Sequence, residues 1–65
     1  MVKRYVLRTV SADGVALWIG EDGPTIARRD AIEFERRGIE VWRLAAEAFY
    51  RLPFDAVEVS KAASL

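Results

Sequence analysis

The residues Ser11-Ala12-Asp13-Gly14 constrain this chain more than any other stretch, because they stand between two runs that read as β-strands. Residues 4 to 10, Arg-Tyr-Val-Leu-Arg-Thr-Val, alternate, with Tyr5, Leu7 and Thr9 on one face and Arg4, Val6, Arg8 and Val10 on the other. Residues 15 to 19, Val-Ala-Leu-Trp-Ile, form the second run. An Asp-Gly pair between such runs is a hairpin signal, since glycine supplies the positive φ of a tight turn. Loop length then sets the register, and a one-residue slip turns every side chain to the opposite face. A two-residue Asp13-Gly14 loop would pair Arg8 with Ile19 and set its charge among Val10, Leu17 and Ile19. A three-residue loop, Ala12 to Gly14, pairs Leu7 with Ile19 and Thr9 with Leu17, and sets Arg8 beside Trp18. Only the longer loop keeps charge off the apolar face, so it is the expected one.

Gly20-Glu21-Asp22-Gly23-Pro24 is expected to end the hairpin, with two glycines and a proline in five residues. Residues 25 to 37 leave alternatives open. Thr25 to Arg29 reads as a helical turn with Ile26 inward, and Ala31 to Phe34 as either its continuation or a short extended stretch. Gly38 caps a first helix or tolerates the start of a second. From Ile39 the pattern is helical: Val41, Trp42, Ala45, Ala48, Phe49 and Leu52 make a wide apolar stripe. Glu40, Arg43, Glu47 and Arg51 line the opposite face at spacings that allow ion pairs. Pro53 stops the helix. Asp55 to Val59 reads as a third strand, with Val57 and Val59 inward and Glu58 outward. The tail from Ser60 to Leu65 has no periodicity and is expected to fray.

These elements predict an α+β fold of ββαβ type, in one domain over residues 1–59 with a tail at 60–65. A right-handed crossover would bring the third strand beside the first, giving a three-stranded antiparallel sheet of order 2-1-3 with one main helix on one face. At 65 residues folding buries only about 60% of the unfolded chain's surface, so the core has to be dense. Seven aromatic residues and an apolar fraction of 52% supply it, without help from disulfides, since there is no cysteine. That absence suits a reducing compartment, and the apolar stretch near the start is short and broken by Arg8. A soluble cytoplasmic protein with no membrane partner is the expectation.

The stretches "RYVLRT", "LWIG", "GPT", "DAIEFERRGIEVWRLAAEAF" and "FDAVEV" together resemble small ββαβ proteins common in bacteria and their phages. The likeness spans residues 4 to 59 and rests on pattern, without a diagnostic motif. It implies the fold and a phage or prophage origin, and carries no catalytic residue over. Gly38 departs from the polar helix start usual in such proteins.

The chain has no histidine and no cysteine, which removes the commonest general base, the commonest metal ligand and the best nucleophile. Ser11, Ser60 and Ser64 lie in a turn or the tail, where a serine nucleophile with a positioned base is not expected. Glu21-Asp22-Gly23 resembles a fragment of a calcium loop, but the spacing that would gather six oxygens is missing. The Gly20–Gly23 stretch lacks the lysine of a phosphate loop, and Pro24 removes an amide donor. The expectation is a protein that is not an enzyme, with no catalytic residue, metal or cofactor.

What remains is binding. Ten basic and ten acidic residues cancel, which argues against a dedicated nucleic-acid binder. One helix on one sheet leaves a face carrying Arg4, Val6, Arg8, Val10, Ala16, Trp18, Ala56 and Glu58. Trp18 beside Arg8 on an open face has the make-up of an interface hot spot. The alternative is that residues 25 to 37 fold over Trp18 in a second cluster with Ile32 or Phe34. Trp42 and Phe49, seven apart, are expected in the core. Arg28-Arg29 and Arg36-Arg37 are either a basic patch or charges neutralised locally by Asp30, Glu33, Glu35 and Glu40. The leading expectation is a module that binds a protein partner, or a second copy as a homodimer, through the open face or an edge at strand 2 or 3. Its interface candidates are Arg4, Val6, Arg8, Val10, Trp18, Arg28 and Arg29. The other reading is single-stranded nucleic-acid binding, with Trp18 stacking on bases and sheet arginines on phosphates.

Overall fold

The computed structural model describes residues 3–62, with side chains through Ser60. Strands β1 (Arg4–Val10) and β2 (Ala16–Gly20) form the expected hairpin, with Arg8 opposite Trp18 and Thr9 opposite Leu17. The Ser11 N–H donates to the Val15 carbonyl at 2.9 Å, and the Gly14 N–H to the Ser11 carbonyl at 2.9 Å. Gly14, at φ 80°, takes the left-handed position that this three-residue loop demands.

The sheet is larger than the three strands in order 2-1-3 that the sequence suggests. Five antiparallel strands run in the order β3-β2-β1-β4, with β5 also paired to β1. Here β3 is Gly23–Thr25, β4 Phe34–Glu35 and β5 Asp55–Glu58. Arg8 pairs with both Trp18 and Asp55, and Tyr5 with both Phe34 and Glu58. A strand residue has one neighbour on each side, so β5 takes one edge of β1 while β2 and β4 divide the other. The glycine- and proline-rich segment that reads as a breaker instead folds back on β2. Gly23 turns at φ 111°, and Pro24 stands opposite Ile19 in an edge strand, where a missing N–H is tolerated.

A 3-10 turn at Arg28–Asp30 then brings the chain back along the end of β2, where Gly20 bridges to Ala31 and the Ile32 N–H donates to the Ile19 carbonyl at 2.9 Å. Ile26, expected inward, is 75% exposed. Gly20 is required by this close return, because a Cβ there would stand 2.9 Å from the Asp30 carbonyl oxygen. Gly20→Ala should therefore cost about 1–3 kcal/mol of stability, the usual penalty for overpacking. Urea unfolding would show it as a lower midpoint with an unchanged slope, and an unshifted midpoint would mean that the return is loose.

Helix α1 (Arg36–Tyr50) starts before Ile39 and carries Gly38 inside its first turn. Arg51 closes it in the left-handed conformation at φ 57°, its N–H donating to the Glu47 carbonyl at 2.8 Å. The helix packs on one sheet face through Ile39 and Ala46, which bury with Leu7 and Phe54 and are flanked by Tyr5, Ile19, Phe34 and Tyr50. Thr9 is buried too, and its Oγ1 donates to the Pro53 carbonyl at 2.6 Å, tying β1 to the connection after the helix.

The other face of the sheet holds a second cluster, Val6 and Trp18, packed with Ala31, Val57 and Val59. The parity of β5 is thus the reverse of the one expected. Phe54 anchors in the helix-side core and Asp55 pairs with Arg8, so Val57 stands opposite Val6 and away from α1, while Ala56 and Glu58 fall on the helix side. Val59 leaves the strand to open a one-turn helix α2 (Val59–Ala62), so residues 60–62 are helical where fraying is expected. Residues 63–65 of the expected tail lie outside the described residues.

Candidate functional site

The face nominated from the sequence is covered. Val6 is fully buried and Trp18 is 5% exposed, so neither is an accessible interface residue. The cover comes from the segment after the 3-10 turn, as one reading allowed, but through Ala31 with Val57 and Val59 and not through Ile32 or Phe34. Arg8 and Arg28 are half-buried, with their guanidinium carbons 5.9 and 5.7 Å from the Trp18 ring centroid. They act as lids on the indole, held there by attraction to its π face. Val6, Arg8, Trp18 and Arg28 therefore belong to one structural cluster. Arg4 and Val10 are exposed at opposite ends of β1, and Arg29 is exposed on the 3-10 turn. A ring enclosed in this way offers no platform for stacking bases. Nor is β2 an edge, because β3 pairs along it.

The exposed apolar surface lies elsewhere, on α1. Val41, Trp42, Leu44 and Phe49 are 70%, 57%, 56% and 78% exposed, so Trp42 and Phe49 are not the core residues their spacing suggests. The geometry of the helix explains this. Its contact with the sheet runs along Ile39, Ala46 and the half-buried Tyr50, a line rotated away from the Trp42–Ala45–Phe49 line. Beyond the first turn, which carries Arg36 and Arg37, the polar side chains of the helix are confined to the strip with Glu40, Arg43 and Glu47. Arg43 donates Nε to Glu40 at 3.0 Å and Nη1 to Glu47 at 2.9 Å, and Glu47 also accepts the Phe54 N–H at 2.9 Å. The hydrogen bond from Arg43 holds the Glu40 carboxyl below its ordinary value. Glu40 is thus committed to Arg43, and among the described residues Arg36 and Arg37 have no carboxylate within ion-pair distance.

Beside α1 an open groove of about 310 Å³ runs down to the sheet, lined by Leu7, Ile19, Phe34, Trp42, Phe49 and Tyr50 together with Ala45 and Ala46. Phe34 and Trp42 rings stand 5.6 Å apart on its wall, and Phe49 meets Tyr50 edge-on at 4.8 Å. The sheet is wider than one helix: four strands side by side span about 15–20 Å, against a helix diameter of about 10 Å. The groove is the part of the helix-side face that α1 leaves bare.

A second depression, lined by the Gly20–Thr25 turn and Asp30–Ile32, is open and polar. Among the described residues no group of three or more acidic side chains is placed to hold a metal ion. No described helix is long and apolar enough to cross a membrane.

No family model matches this chain, and neither a curated protein nor a solved structure does. Its own geometry carries the functional argument.

The α1 surface was missed in the sequence for a definable reason. A stripe running from Trp42 through Ala45 and Val41 to Leu44, with Ile39 and Ala46 added, covers most of the helix circumference. One sheet can bury only one side of a helix, so the excess width was itself the signal.

Proposed function

We propose that this chain is a non-enzymatic protein-interaction module whose binding surface is the exposed apolar side of α1 and the groove beside it. The observation that carries this reading is the exposure of Trp42 and Phe49 next to a groove floored by Leu7 and Ile19. A helix apolar on most of its circumference is ordinarily a buried helix. Large aromatic side chains around a pocket are also the residues that dominate protein–protein binding energy. The lack of histidine and cysteine supports binding over catalysis.

The test is site-directed photocrosslinking in the cells that make the protein. Benzoylphenylalanine in place of Phe49 should give a light-dependent protein adduct that the same group at Asp13, in the exposed hairpin loop, does not. The mass of the adduct identifies its origin. Equal or absent labelling at the two positions would remove α1 from the interface and end the proposal.

A further inference from the structure

Resting on that reading, we infer that the occupant of the α1 surface is an acidic amphipathic helix of another protein. The lining of the groove is the first argument. Its floor and walls are apolar side chains, Leu7, Ile19, Phe34 and Trp42 among them. No free strand edge lies along it, because β1 is flanked by β5 on one side and by β2 and β4 on the other, and β2 by β1 and β3. An extended segment laid there would find no backbone to pair with and would press its own unpaired N–H and C=O groups against apolar carbon. A helix arrives with those groups already bonded and needs only an apolar stripe to fill the depression. A lipid surface is flat and does not enter it.

Charge is the second argument, and it sets the sign of the partner. Both carboxylates of α1 are engaged by Arg43, and Glu47 holds the Phe54 N–H as well. Arg36, Arg37 and Arg51 are exposed at the two ends of the helix, and among the described residues none has a carboxylate within ion-pair distance. Glu35, next to Arg36 in the chain, stands opposite Arg4 in the β1–β4 pair, on the sheet face away from α1. Arg37 lies in line with the exposed Val41 and Leu44 at helical spacing, so it rims the apolar surface. The uncommitted charge along this helix is therefore cationic at both ends. A second copy of α1 would set arginine against arginine in either orientation. Carboxylates flanking an apolar stripe meet the arginines in register, and such rim charges select between partners.

The experiment is a selection from a displayed library of random peptides of about 16 residues, enough for four helical turns, on the immobilised 65-residue chain. Peptides that bind it but not Phe49→Glu should carry a net negative charge and apolar residues at i, i+3 or i+4 and i+7. Their circular dichroism should turn helical on binding. Reversing both rim charges, Arg37→Glu with Arg51→Glu, should weaken a selected peptide about tenfold and flatten its dependence on salt, with the chain's own circular dichroism unchanged. Arg29→Glu, exposed on the 3-10 turn, should leave binding as it was. Selected peptides that are neutral or basic, that bind without becoming helical, or that ignore Phe49→Glu would overturn the acidic helix. So would a sedimenting mass twice the 7.3 kDa of the chain that Phe49→Glu halves, or flotation with phosphatidylglycerol vesicles that Phe49→Glu abolishes. After any of these, a protein crosslinked at position 49 would leave the interaction module standing with a different occupant, and no adduct there would remove both.

Discussion

Trp18→Ala should lower the stability of the domain by about 3–5 kcal/mol, the range for removing a large aromatic from a core. The indole is 5% exposed and is one of the two buried side chains in its cluster, with Val6 the other. It also holds two arginines. The Nε atoms of Arg8 and Arg28 are buried without a hydrogen-bond partner, so what keeps those guanidiniums in place is contact with the ring. Deleting the ring leaves two cations over a void. A domain of this size has about 3–10 kcal/mol in total, so the change removes a large share of its stability. Trp18→Phe keeps an aromatic face for the arginines and should lose visibly less. Urea titrations of the three proteins decide the matter. A loss below about 1 kcal/mol for the alanine variant would mean that the indole is solvated, and that the sheet face first nominated for binding is open after all.

That prediction turns on a part of the fold only half legible in the sequence. The register of β1 and β2 was readable because loop chemistry is local: Asp13-Gly14 and the alternation around it leave one pairing that keeps Arg8 off the helix side. The cover over Trp18 was not readable. It depends on Gly20 meeting Ala31 and on Ile32 bonding to Ile19, contacts that join residues with no periodicity of their own. Strands of three and two residues, Gly23–Thr25 and Phe34–Glu35, leave no pattern to detect, and they exist because β2 and β1 offer them unpaired backbone.

The helix shows the complementary case. Its existence was plain from spacing, but its rotation about its own axis was not. Apolar residues occupy so much of its surface that several orientations would bury a similar area. The choice falls to Ile39 and Ala46, and the small Ala46 lets the backbone approach β1 closely. Trp42 and Phe49 are thereby turned to the groove and to water. A surface built in this way follows from the core's choice of contact line, so the binding site could be located only after the packing was known.

Phe54→Ala should be as damaging as the tryptophan change, at about 3–5 kcal/mol, although Phe54 follows a proline in what reads as a connecting turn. Phe54 is 3% exposed, packs with Leu7, Ile39 and Ala46, and stands 6.0 Å from the Tyr50 ring. It also fixes the parity of β5, since its burial on the helix side sends Val57 to the opposite face. Its backbone N–H keeps its bond to Glu47 in the variant, so the loss isolates packing. Phe49→Ala is the natural control. It deletes the same side chain five positions earlier, but from a site 78% exposed, and should change stability by no more than about 0.5 kcal/mol. Both variants have to be compared at low micromolar concentration, where mass action adds least to stability. Equal losses at the two positions would mean that α1 is rotated from the orientation seen here, and the exposed aromatic surface would go with it.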